Sequence, residues 1–440
     1  MSTQIINGFS KFPKEEKLAF LLTNKIITDQ QLELINEINL KNNLNQEIIE
    51  NITENYLANF PLSLSIVPNV LINNRLHFVP VVTEESSVVA AASFAAKFWA
   101  LHGGFQTKVI NETKIGQIHF TWAGNFQELN EIKPLLFKAL TKSIDVVSEN
   151  MKKRGGGCKT IELLDFTPKL ANYYQLRIGF ITADAMGANY INTCLEIMAD
   201  ALKKFISEHF ENEKATVEII MAILSNYTPD CVVECLVECP TSQLQSVSGG
   251  LNYSDFASKF KLAVEIAQID PYRAVTHNKG IFNGIDAVVV ATGNDFRAIE
   301  ACGHAYASRN GTYKSLSWCE NDKDLFRFLL RVPLALGTVG GLTSVHPVAN
   351  LALQILSKPS AGQLMQIASA IGMANHFAAI RALITNGIQA GHMKMHLSKI
   401  LQHLNASNVE IDFANKEFEN KSVSFNAVSS FLELHRKSGL

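Results

Sequence analysis

Arg273, His277, Asn278 and Lys279 fall within seven residues, inside the segment DPYRAVTHNKG that runs from Asp270 to Gly280. These side chains suit the handling of negative charge. An arginine grips a carboxylate through two parallel hydrogen bonds. A lysine presents a compact charge to an oxygen that becomes anionic during a reaction. The segment continues through Gly284 into the apolar run Ala287 to Ala291, which reads as a buried strand, and ends in Thr292, Gly293, Asn294 and Asp295. Polar groups at the end of a buried strand commonly carry catalysis. Asp295 is equally suited to cap a helix that begins at Phe296.

Three further segments carry chemistry. Glu84 and Glu85, within TEESS at Thr83 to Ser87, stand at a strand-to-helix junction. They read either as a capping pair at a helix N-terminus or as a carboxyl kept protonated by burial and able to donate to a carbonyl oxygen. Asp184 to Asn189, DAMGAN, follows a strand and opens a helix. Gly187 permits close approach there, and a helix N-terminus offers free N–H groups to a pyrophosphate; a plain turn is the alternative. The Gly-x-Gly-x-x-Gly fingerprint occurs nowhere in the chain, so a dinucleotide site here is not an ordinary Rossmann fold. His392 and His396 lie four apart, but Met393 stands where a metalloprotease pair needs Glu. His392 fits a general acid brought in by closure of a tail, or a solvated surface histidine.

The elements that must position these groups follow from the pattern. Leu32, Leu34, Ile35, Ile38 and Leu40 predict an amphipathic helix. Residues 60–82 read as a hairpin turning at Asn73 and Asn74. Residues 86–102 read as a helix stopped by Gly103 and Gly104. Between 112 and 227, strands (118–122, 160–164, 175–182, 216–224) alternate with helices (129–152, 189–209), and Gly155 to Gly157 link a helix to a strand. Long helices dominate 228–386, and the tail from Gly387 is helical and polar-faced, with Gly387 and Gly391 as a hinge. The predicted class is α+β: a large, mainly helical domain (1–111 and 228–386) with a central strand region, a small inserted α+β domain (112–227) and a helical C-terminal flap (387–440).

Bulk properties exclude several roles. The 440 residues carry a net charge of −2, with 47% hydrophobic and 18% charged residues, so nothing favours nucleic acid. The opening is polar and shows no signal peptide. The longest apolar candidate, 328–345, is interrupted by Arg331, Pro333 and three glycines, which argues against a membrane span of roughly 18 residues; a soluble, cytoplasmic protein is expected. The seven cysteines do not suggest a disulfide framework. Cys231, Cys235 and Cys239 recur at fourth positions with no His nearby and Pro240 after them, which suits thiols on a strand better than a metal; no metal is expected.

Four of these segments, DPYRAVTHNKGIFNG (Asp270 to Gly284), ATGND (Ala291 to Asp295), DAMGAN and GIQAGH (Gly387 to His392), resemble in type and order the motifs of the 3-hydroxy-3-methylglutaryl-coenzyme A reductases in their soluble bacterial form. The likeness runs from about Glu50 to the tail. It implies a helical domain with an inserted non-Rossmann dinucleotide-binding domain and a C-terminal flap. It also implies two hydride transfers from NAD(P)H that convert the thioester to mevalonate and coenzyme A, or the reverse, in a homodimer or an oligomer of dimers whose sites lie at the interface. Carried over by position, Glu85 is the catalytic glutamate, Lys279 the oxyanion-binding lysine, Asp295 the aspartate that tunes both, and His392 the acid that protonates the thiolate. Ser87, Arg273, Asn226 and Asn283 hold the acyl group. Asp184, Ala185, Met186, Gly187 and Asn189 belong to the cofactor loop. Glu54 and Asn55 match a subunit-contact pair.

The chain departs from the family in places. Tyr56, Leu57 and Ala58 replace Val-Ile-Gly, Ser86 replaces a proline, Ser344 a lysine, and Asn375 and His376 replace Gln-Asn. Glu149, Lys152, Lys153 and Arg154 mix the signals that separate NAD from NADP. Two other readings are a different coenzyme A-dependent or hydroxy-acid oxidoreductase, and a catalytically silent coenzyme A-binding protein. Arg273 with Ser87, suited to a free acyl carboxylate, argues against the first, and the intact Glu85, Lys279, Asp295 and His392 against the second.

Overall fold

Asn73 and Asn74 both adopt left-handed backbone (φ 46° and 65°), the conformation a two-residue hairpin turn requires. They join β1 (Leu64–Ile72) to β2 (Arg75–Val82) in an antiparallel pair. The structure is a computed structural model and describes residues 9–322, 324–385, 387, 397–418, 421 and 423–437. Three helices, α1 (Lys14–Thr23), α2 (Asp29–Glu37) and α3 (Asn43–Glu50), precede the hairpin. After it, the alanine-rich α4 (Ser86–Ala100) ends before Gly103 and Gly104, which take the positive φ that closes a helix. Short helices follow further on: α5 (Phe126–Glu131), α6 (Lys133–Ser143), α7 (Asp145–Lys153), α12 (Leu342–Val345) and α13 (Pro347–Ile355).

The chain then builds two four-stranded antiparallel sheets. One has the order β3 (Gln106–Glu112), β8 (Cys231–Pro240), β10 (Leu325–Pro333), β9 (Ser317–Asp322). The other has the order β5 (Gly157–Asp165), β6 (Tyr173–Ile181), β4 (Lys114–Trp122), β7 (Val217–Ser225). β3 and β4 are separated by Thr113 alone, so the chain crosses between the sheets there and returns between β7 and β8. Along β4 every second residue is buried, the alternation of a half-buried strand. Cys231, Cys235 and Cys239 all face inward from β8 and are buried, as thiols on a strand.

Each sheet has its own core. Trp99, Phe260, Phe326 and Phe377 pack with α9 (Tyr253–Ile269), α10 (Pro271–Ala291) and α14 (Ala361–Ile384) on the first sheet. Trp122, Tyr174, Leu176 and Met198 pack between the second sheet and α8 (Ala188–His209). A third cluster, including Leu397, Leu401, Ala414 and Leu432, joins residues 397–401 to the helices Asn408–Glu417 and Phe425–Lys437. The fold class is mixed helix and sheet, as the sequence pattern leads one to expect.

Two expectations are corrected. Ala287 to Ala291 is not a strand but the last turns of α10. A short apolar run cannot be told from a buried helical segment by periodicity alone, and here Ala287, Val288, Val289 and Ala291 are all buried. The longest apolar stretch is also misjudged: α14, not 328–345, is long and apolar enough to cross a bilayer. Its apolarity serves the core instead, with Leu364, Ile367, Ile371 and Phe377 buried against the first sheet and its helices.

Candidate functional site

α10 carries most of the expected site. Asp270 caps it by accepting from the Tyr272 N–H at 3.0 Å, and Pro271 occupies the first turn, where its missing N–H costs nothing. Around Lys279 the helix is held on three sides. His277 Nε2 lies 2.8 Å from both Ser317 Oγ of β9 and His376 Nε2 of α14. Asn278 donates to the Lys314 carbonyl at 2.9 Å and accepts from the Leu316 N–H at 3.0 Å. Asn375 donates to the Gly280 carbonyl at 2.8 Å. One turn on, a Cβ at Gly284 would stand 2.5 Å from the Ile371 carbonyl oxygen, so only glycine permits α10 and α14 to cross this closely.

Lys279 therefore projects from a fixed stretch of helix with its side chain 62% exposed, and its Nζ lies 3.8 Å from Glu85 Oε2. Glu85 occupies the N-cap position of α4, yet its carboxylate caps nothing. It accepts instead from the Ser87 hydroxyl. The structure thus brings Glu85, Ser87 and Lys279 together and sets the capping reading of Glu85 aside. Asn283 follows Lys279 by one turn of α10 and is half-buried.

Asp295 does cap α11 (Phe296–Ala307), accepting from the Arg297 and Ala298 N–H groups. Among the described residues, its partner within ion-pairing distance is Arg297, at 3.1 Å. Burial raises its carboxyl, but the bonds from Arg297 and Ala298 outweigh that and hold it below the usual range. Arg273 is half-buried and stands roughly 9 Å along the axis from Lys279 and about 120° around the helix, so the two leave the helix in different directions. Burial lowers the Arg273 guanidinium against the pull of Asp270.

Asn226 lies between β7 and β8, lining a narrow cleft with Lys114, Met186, Thr228 and Cys302. The segment 184–189 runs from the turn after β6 into the first residues of α8. Gly187 is the N-cap, at φ 96° and with no side-chain cap. A Cβ there would fall 2.4 Å from Thr182 Cγ2. The open N–H groups at the start of this 22-residue helix fit a pyrophosphate. His392 lies outside the described residues.

Three groups were given no role by the sequence reading. Lys114 is buried against the 184–189 loop; nothing in its surroundings along the chain marks it, because it simply opens an alternating strand. His376 is fully buried opposite His277. Asp286 follows Asn283 on α10 with a buried, unpartnered Oδ1. Burial, then the charges of Glu300 and Glu84, push its carboxyl up.

A cation, a carboxyl and a hydroxyl meet beside a fixed helix, an arrangement suited to stabilising and protonating an oxygen, and the family match makes the chain a nicotinamide-dependent oxidoreductase. The chain belongs to the hydroxymethylglutaryl-coenzyme A reductase family, whose model matches residues 14–397. It is 34% identical over 413 residues to 3-hydroxy-3-methylglutaryl-coenzyme A reductase of Archaeoglobus fulgidus, covering 92% of this chain and 89% of that protein. A solved structure of the Streptococcus pneumoniae reductase is 35% identical, with a TM-score of 0.70 over 97% of this chain and 99% of that one. Another, the class II enzyme of that species bound to NADPH in open conformations, is 36% identical, with a TM-score of 0.69 over 86% of this chain and 99% of that one.

Proposed function

We propose that the chain reduces 3-hydroxy-3-methylglutaryl-coenzyme A to mevalonate and coenzyme A, with Lys279, Glu85, Asp295 and His392 as the reacting groups. The observation that carries this reading is the approach of Lys279 Nζ to Glu85 Oε2 at 3.8 Å. It puts a fixed cation and a proton source where one oxygen can reach both. The residues 184–189 would hold a reduced nicotinamide that supplies one hydride to the thioester carbonyl, and a second, fresh cofactor would supply another to the aldehyde left when the thiolate departs. Lys279 donates to the carbonyl oxygen as it gains charge in each reduction. His392 protonates the departing thiolate. Glu85 protonates the oxygen of the second reduction, with Ser87 orienting its carboxyl. Asp295 tunes the pair once it leaves Arg297.

Arg273 holds the free carboxylate of the acyl group, and Ser87, Asn226 and Asn283 complete its pocket. Asp184, Ala185, Met186, Gly187 and Asn189 hold the cofactor, which is NADH or NADPH, and no metal takes part. Divisions near 112, 227 and 387 separate large, small and flap domains, a reading the three separate apolar cores support. Two copies of the chain complete each site.

The test is stoichiometric. The purified protein consumes two reduced cofactors per thioester; one would indicate a different reaction. Lys279→Ala keeps its fold, checked by circular dichroism, and loses roughly 10²–10³ in turnover. Near-normal turnover in that variant would remove the mechanism.

A further inference from the structure

Lys114 opens β4 and is 3% exposed. Burying an ammonium without a counter-charge is strongly unfavourable, yet both acceptors of this one are neutral. Its Nζ donates to Thr182 Oγ1 at 2.6 Å and to the Ala185 carbonyl at 3.0 Å. Among the described residues, no carboxylate lies within ion-pairing distance of it. Asp184, the nearest acidic residue of the loop in sequence, has its carboxylate on the Ala361 N–H at 2.8 Å. Burial lowers the Lys114 ammonium, outweighing the smaller opposing pulls of Cys231, Glu112 and Asp184.

What Lys114 touches is the turn between β6 and α8. That turn is otherwise tied by uncharged contacts: Thr182 Oγ1 to the Ala185 carbonyl at 2.7 Å, Thr338 N–H to the Asp184 carbonyl at 2.8 Å, and a bridge from Ala185 to Val339. Beyond it, α8 begins at Gly187 with no side chain satisfying its first N–H groups. A buried positive charge and the positive end of a long helix thus sit on the same few residues, and both favour an anion.

We propose that Lys114 is a positioning residue for the dinucleotide phosphates, resting on the reading of 184–189 as the cofactor loop. Its ammonium shapes the 182–187 turn from behind. Its unbalanced charge is compensated when the anionic pyrophosphate binds. Because the pyrophosphate is common to both cofactors, Lys114 acts equally on NADH and NADPH and does not act on the thioester.

The experiment is Lys114→Met, which keeps an unbranched chain and removes the charge. Kd values for NADH and NADPH come from nicotinamide fluorescence, the thioester Kd from calorimetry, and Tm from thermal unfolding. The expected result is a rise of roughly tenfold in both cofactor Kd values, an unchanged thioester Kd, and a Tm equal to or above that of the parent, since an uncompensated buried charge is gone. Unchanged cofactor binding overturns the proposal. So does a lower Tm with cofactor and thioester weakened together, which marks a purely structural lysine. Gly187→Ala serves as the control, because its Cβ would meet Thr182 and its φ is strained. If that variant binds cofactor normally, the loop reading itself fails; if it weakens cofactor binding while Lys114→Met does not, only the role of Lys114 fails.

Discussion

Glu85 stands where a helix wants a capping side chain and withholds it. A residue at an N-cap normally accepts from the first turn; Glu85 instead takes the Ser87 hydroxyl and faces Lys279. A local rule broken without an evident stabilising return is the mark of a functional position. Glu85→Gln keeps the shape and the bond to Ser87 but cannot deliver a proton. Turnover is expected to drop by roughly 10²–10⁴ with the thioester KM within a few-fold of the parent. Steady-state rates at saturating cofactor measure both, and a KM effect without a kcat effect would recast Glu85 as a substrate-binding group. The carboxylate at Asp295 shows how residue chemistry and residue geometry can part: ATGND was legible as a motif, but its present partner, Arg297, lies two positions away on the helix it caps.

At the scale of elements, the crossing of α10 and α14 decides where Lys279 points. Gly284 sets the spacing, Asn375 fixes the Gly280 carbonyl, and His376 meets His277. Burial, then the charge of Arg273, pushes His277 down to about 3. Burial, then His277 and Arg273, pushes His376 well below its ordinary value. Ser317 from β9 and the Phe328 ring from β10 are neutral neighbours and offer no counter-charge. Both rings stay neutral in the folded chain, while in the unfolded chain they protonate below about pH 6.5. The unfolded state therefore binds more protons there, and stability falls as pH drops from about 6.5 toward 3, by up to about 1.4 kcal/mol per pH unit for each ring. His376→Asn removes one of the two titrations and should roughly halve that dependence, seen as a smaller loss of urea midpoint between pH 7 and pH 5; an unchanged slope would falsify the assignment. None of this could be read from the sequence. The polar cluster around Lys279 was legible because its residue types are dense, and the hairpin and the β-α alternation were legible from turn residues and period. The helical state of Ala287 to Ala291 was not, since the last part of α10 is buried nearly all round and so loses its amphipathic stripe. Nor was the pairing of His277 with a residue 99 positions away, because only tertiary packing brings them together.

For the whole molecule, the question is how Arg273 can serve a site built on Lys279 when one helix points them apart. The end of α9 and the helical face of α10 that carries Lys279 leave Ile269 80%, Tyr272 90% and Val275 52% exposed, an apolar cluster of the kind that marks an association surface. A second copy seated on it would carry the partner's Arg face toward this chain's Lys face, and a two-fold axis would make two such sites at once. Complementation separates the cases. Lys279→Ala and Arg273→Ala are each expected to be nearly inactive alone. If each site is made by one chain, every site in a mixed dimer still carries one defect and mixing restores nothing. If Lys279 and Arg273 of one site come from different chains, a mixed dimer holds one doubly defective site and one intact site. Equal mixing after subunit exchange should then recover about a quarter of parental activity. We expect that recovery, measured after co-refolding or co-expression with two distinct tags, and its absence in a mixture whose mixed dimers are verified would return the whole site to a single chain.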